Sequence, residues 1–207
     1  MRQSGTLIAV ALVAMWPRIA AAQDPRLERR LDSATLVALT PVMDSARAAD
    51  LPLEPLVQRA LEGAIKRAGA ARIVAAVRLL ATELRDARAA LGTGSTSAEL
   101  VAGASALRAG AHSSDLAQFR RRRGTGVTVP LAAVTDLVTS GVPPDSAVAA
   151  VLALMALARD DQIVDFRRAV ERDIALGAPP AAAAAVRVNA AVREFSQNTP
   201  GNQPRKP

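Results

Sequence analysis

The chain has 207 residues, half of them apolar, a net charge of +7, one histidine, and no cysteine or tyrosine. The lack of cysteine excludes disulfides, thiolate metal sites and the lipid-modified cysteine of a bacterial lipoprotein, and a single histidine gives a zinc site no basis. Tryptophan occurs once, at Trp16, and phenylalanine only at Phe119, Phe166 and Phe195, so the aromatic platforms of sugar and single-stranded nucleic-acid sites are missing.

Residues 1–22 have the pattern of a secretory signal peptide. Arg2 supplies the positive start, Leu7 to Met15 the apolar run, and Ala20-Ala21-Ala22 the small residues before a cut after Ala22. The expectation is an exported protein, periplasmic or extracellular. The run is shorter than the ~20 residues a spanning helix needs, and no stop-transfer segment follows, so no transmembrane span is expected after leader removal. Cleavage would also remove Trp16, Arg2 and Arg18, leaving a less basic chain of single-domain size.

The rest is alanine-rich and poor in the residues that fill β-sheet cores, which predicts an all-α fold. A short helix starts after Asp32 or Ser33 and is broken or kinked at Pro41, with a further segment to Ala49. Pro55 opens a helix to about Arg67. In Ala70 to Leu91 the residues Ile73, Val77, Leu80, Leu84, Ala87 and Leu91 recur at steps of four and three, the seam of a packed helix. Gly92 ends it.

Thr96 and Glu99 form a capping box for a helix to about Ala109, and a short helix runs from about Ser114 to Arg123. Gly124 to Val129 is the one place for a brief extended segment. Pro130 then opens a helix to Ser140. Asp145 to Ala158 follows, and because Ala147 to Ala158 holds no polar side chain, this helix is expected at the centre of the core. Asp160 and Asp161 begin a helix to Leu176, and Ala181 to Phe195 forms the last.

Four segments repeat one local pattern: Asp50-Leu51-Pro52-Leu53, Gly110-Ala111-His112-Ser113, Gly141-Val142-Pro143-Pro144 and Gly177-Ala178-Pro179-Pro180. Each suits a helix-to-helix corner, with a left-handed residue, an apolar residue folding back, and proline at the next start; Asp50 replaces glycine in the first and His112 replaces proline in the second. Their spacing is too uneven for a regular solenoid. The expected architecture is an irregular array or bundle of about eight or nine helices joined by Gly-apolar-Pro corners, without substantial β-sheet. One helical domain is assigned to residues 23–195 and a disordered tail, rich in Pro, Asn and Gln, to 196–207.

The densest positive site is Arg120, Arg121, Arg122 and Arg123. It reads either as a solvated helix end, where cations suit the dipole, or as an anion-binding site for lipid headgroups or another envelope polyanion. An arginine excess from coding bias is a third source of the same signal. His112 has Ser113 and Ser114 beside it but no nucleophile motif, which makes it a corner residue. Asp160, Asp161 and Asp165 cluster without the spacing of a calcium loop, and a helix start explains them. No phosphate-binding glycine motif occurs. The expectations are therefore no cofactor, no metal, no nucleic-acid partner and no enzymatic activity. What is expected is a helical domain that contacts a protein or peptide partner in the cell envelope, with arginine-mediated binding of an anionic surface as the alternative.

Overall fold

Strong helix formers, chiefly alanine, leucine and arginine, fill the segments between the corners, and their apolar members recur at helical spacing. A computed structural model describes residues 24–197, so the leader predicted at 1–22 and the predicted tail from 198 lie outside the described residues. Among the described residues there are ten α-helices and no strand: α1 (Pro25–Glu28), α2 (Ser33–Ala48), α3 (Glu54–Ile65), α4 (Ala70–Leu91), α5 (Ser97–Arg108), α6 (Ser113–Arg123), α7 (Thr128–Thr139), α8 (Pro144–Met155), α9 (Asp160–Ala175) and α10 (Pro180–Gln197).

Five helix ends close identically. The residues after α2, α3, α5, α7 and α9 take positive φ: Asp50 at 52°, Arg67 at 53°, Gly110 at 104°, Gly141 at 96° and Gly177 at 99°. The next N–H then reaches back five residues. Leu51 donates to the Ala46 carbonyl, Ala68 to Gly63, Ala111 to Ala106, Val142 to Leu137 and Ala178 to Asp173, all at 2.9–3.0 Å. This is the Schellman closure, and it satisfies carbonyls that the helix end would otherwise leave open. The apolar residue after each left-handed one then packs inward, as Leu51, Ala111 and Val142 do.

The corners also stack. A Cβ on Gly110 would lie 3.0 Å from Pro144 Cγ, and one on Gly141 would lie 3.3 Å from Pro180 Cγ. The α5/α6 corner thus rests on the start of α8, and the α7/α8 corner on the start of α10. Two layers result. Helices α5, α7 and α9 lie side by side in one, α4, α6, α8 and α10 in the other, and α4 with α5, α7 with α8 and α9 with α10 join them. Helices α2 and α3 pack on α4, and α1 covers their end.

A single hydrophobic cluster runs from Leu27 to Ala184. Every residue of the predicted seam, Ile73, Val77, Leu80, Leu84, Ala87 and Leu91, is buried along α4. At about 1.5–3 kcal/mol per large aliphatic side chain, such seams are the main support of an alanine-rich array. Helix α8 buries Ala147, Val148, Ala150, Val151, Leu152, Leu154 and Met155 but leaves Ala149 and Ala153 exposed. It is the core of the C-terminal half only. In the N-terminal half α4 has that place, touching α2, α3, α5 and α6, so the expected single central helix is replaced by two.

Several boundaries differ from the sequence reading. Helix α2 passes through Pro41 unbroken. Proline removes the bond to the Val37 carbonyl, and Val37 is 72% exposed, so water can take that carbonyl. The segment 124–127 is not extended strand, and α7 starts at Thr128, which puts Pro130 inside its first turn where no N–H is needed. Helix α8 ends at Met155 rather than Ala158, and α10 reaches Gln197, two residues into the predicted tail. The short α1 has no counterpart in the sequence reading; Asp24 caps it by accepting from Arg26 N–H at 2.9 Å.

Candidate functional site

The layer of α5 and α7 is open on one side. Between the two helices, and bounded by the Pro52–Pro55 corner, runs a groove of about 830 Å³. Its walls are two matching stripes, Ala98, Ala102 and Ser105 on α5 and Thr128, Ala132 and Thr135 on α7, with Val101 between them. Both stripes have the i, i+4, i+7 spacing of one helix face. Small side chains there leave the backbone near the surface, and Val101 is 38% exposed.

Two charged groups reach the groove, Glu54 at one end and Asp136 at the other. Neither is free. The Arg26 guanidinium, with help from Gln58, holds the Glu54 carboxyl down at about 2, and Arg167 donates to Asp136 at 3.0 Å. The surface offered between them is apolar. Leu53 and Glu54 also line a smaller cavity of about 240 Å³ under α1, α2 and α3, whose floor is Leu27, Leu36, Leu39 and Val57.

The four consecutive arginines do not form one patch, because helical spacing sends them to different neighbours. Arg120 reaches Glu99 at 3.0 Å and Ser95 Oγ at 2.9 Å, and also donates to the Gly124 carbonyl. Its Nε is buried without a partner. Arg122 donates to the Leu152 carbonyl at 2.9 Å, in the last turn of α8. Arg123 pairs with Asp160 and donates to the Ala158 carbonyl at 3.1 Å, which ties α6 to the α8/α9 junction. Arg121 alone of the four makes no such contact with the described residues and points to water.

Sequence reasoning missed the hub of this network. Glu99 closes the predicted capping box, accepting from Thr96 N–H at 2.9 Å, and its other oxygen accepts from the N–H groups of Gly126 and Val127 at 2.9 and 3.2 Å. One carboxylate thus serves the N-termini of both α5 and α7, where the helix dipoles favour negative charge. A signal was present: the first turn of α7 has no acid of its own.

No protein-family model, curated protein or solved structure matches this chain. Its own geometry must carry the functional reading.

The remaining candidates are engaged locally. His112 sits at the N-cap position of α6, exposed, with its N–H donating to Asp115 Oδ2 at 2.8 Å. It is therefore itself the capping position, and Ser113 is the first helical residue. Asp160 pairs with Arg123 and Asp161 with Arg159, and Asp165 lies 3.7 Å from Arg168. At the start of α9 the Arg159 N–H is taken by Gln162 rather than by either aspartate. Among the described residues no three His, Asp or Glu side chains converge as a metal-ligand set. Phe119 and Phe166 are core residues, 0% and 6% exposed.

Proposed function

We propose that this chain is an exported, non-enzymatic helical scaffold that binds a segment of a partner protein in the cell envelope, and that the segment lies in the α5/α7 groove. The observation that carries the reading is the pair of small-residue stripes facing each other across an open groove. The partner segment is an apolar or amphipathic helix. A helix can approach two stripes of alanine, serine and threonine closely, and its i, i+3, i+4 and i+7 side chains can drop between them. The arginine-held ends, Glu54 and Asp136, leave no unpaired charge for the partner to neutralise. The leader pattern at residues 1–22 supports export, and the locally paired carboxylates support a binding role over catalysis.

Panning a displayed random-peptide library against the purified protein tests the reading. The expected result is an enriched family with apolar residues at helical spacing. Enrichment of no family, or of one lacking such spacing, would remove the support for a helix-binding groove.

A further inference from the structure

A second concave surface lies where α1 meets the end of α3. Its cleft, of about 380 Å³, is lined by Arg26, Arg29, Arg30, Leu61 and Ile65, with no acid among them. Ile65 is 75% exposed, a large aliphatic side chain standing in water beside guanidinium groups. Arg26 is committed to Asp24 and Glu54. Arg29 spends its Nε on the Pro25 carbonyl at 3.2 Å and keeps its terminal amino groups. The Arg30 guanidinium has no hydrogen bond or ion pair with any described residue, its backbone N–H alone donating to the Leu27 carbonyl at 3.0 Å, and Arg67, two residues after Ile65, is exposed as well. Glu28 belongs to α1 but does not line the cleft.

Two available planar cations beside an aliphatic surface suit one kind of ligand, an anion attached to hydrocarbon. A phosphodiester accepts paired N–H bonds from guanidinium, the arginine stems cover apolar surface while their heads stay wet, and an exposed isoleucine gains by leaving water. We propose that this cleft is a contact site for the anionic phospholipid surface of a bilayer, with headgroup phosphate at Arg29 and Arg30 and Ile65 at the acyl boundary. A carboxylate on a soluble partner would satisfy the arginines and leave Ile65 unexplained; a lipid surface accounts for both. The proposal is independent of the α5/α7 groove.

Co-sedimentation of the purified protein with phosphatidylcholine vesicles, with and without phosphatidylglycerol, tests it. Binding is expected only with phosphatidylglycerol, and it should weaken as salt rises. The double change Arg29→Gln and Arg30→Gln should lower affinity roughly thirtyfold, from the typical contribution of a basic residue near an anionic surface. Ile65→Ser should also lower it at unchanged charge, and Arg121→Gln, equally exposed but outside the cleft, should not. All four sites are on the surface, and unchanged thermal melts would confirm intact folding. No binding to phosphatidylglycerol vesicles would overturn the proposal, as would equal binding by the double variant or an equal loss in Arg121→Gln. Displacement by inorganic phosphate at matched ionic strength would also overturn it, by making the cleft a site for the free ion.

Discussion

Glu99 is 2% exposed, and a buried carboxylate is tolerated only when its charge is met on every side. Burial pushes its pKa up, but the N–H groups of Thr96 and Val127 and the Arg120 guanidinium outweigh that and hold it below the ordinary 4.5. With a depressed folded pKa, its stabilisation is complete above 4.5 and is lost as pH falls through the lower folded value. Glu99→Gln is therefore expected to cost about 2–4 kcal/mol in denaturant melts at neutral pH, since Arg120 and two helix N-termini lose their anion. The variant should also show a shallower loss of stability below pH 4.5 than the parent. The capping half of this residue's role was legible in the Thr96-to-Glu99 spacing. The other half was not, because Gly126 and Val127 meet Glu99 only after α6 folds back. The arginines teach the same lesson: four identical letters diverge because a helix turns about 100° per residue. Arg122→Gln and Arg123→Gln are each expected to cost about 0.5–1.5 kcal/mol. Arg121→Gln should stay within about 0.5 kcal/mol of the parent, and equal effects across the row would contradict the assignment.

The helix ends are the elements in which sequence and structure agree most closely. At Gly141 and Gly177 the glycine, the apolar residue after it and the proline opening the next helix all state a local requirement, and at Gly110 the glycine and Ala111 do so without a proline, so neighbouring residues suffice to read them. Arg67 escapes that reading because it adopts the same left-handed conformation without a glycine, and Gly69 beyond it belongs to the start of α4. Pro41 misleads in the other direction, since an exposed helix face lets solvent replace the missing bond. Gly110→Ala is expected to destabilise by about 1–2 kcal/mol from left-handed strain alone, with more from Pro144 at 3.0 Å. Gly69→Ala, with ordinary φ and nothing within 4 Å of the new Cβ, should cost only about 0.5 kcal/mol or less, because alanine's poorer N-capping is offset by the lower entropy of the unfolded chain. Thermal melts of the two variants side by side would show the difference, and equal melts would mean that the corners do not set the stacking of α5, α6 and α8.

At the scale of the whole molecule, the repeated corners stack helices into two layers, and the open side of one layer leaves the groove between α5 and α7. The all-α class and the array followed from composition and corners. The groove did not. Ala98 and Ala132, both exposed, are indistinguishable in sequence from the alanines that fill the core, and only the stacking decides which of them lack a neighbour. For the same reason the Arg120–Arg123 row looked like a site and is mostly spent on joints, while the less conspicuous Arg29 and Arg30 face water beside Ile65. The groove is the central functional claim, and titration of one enriched peptide against the parent and Ala132→Trp tests it most directly. Ala132 is exposed, so the indole should fill the groove without disturbing the fold. The expected result is saturable binding to the parent and loss of binding to a variant with an unchanged melt. Equal affinity for both proteins would contradict the claim.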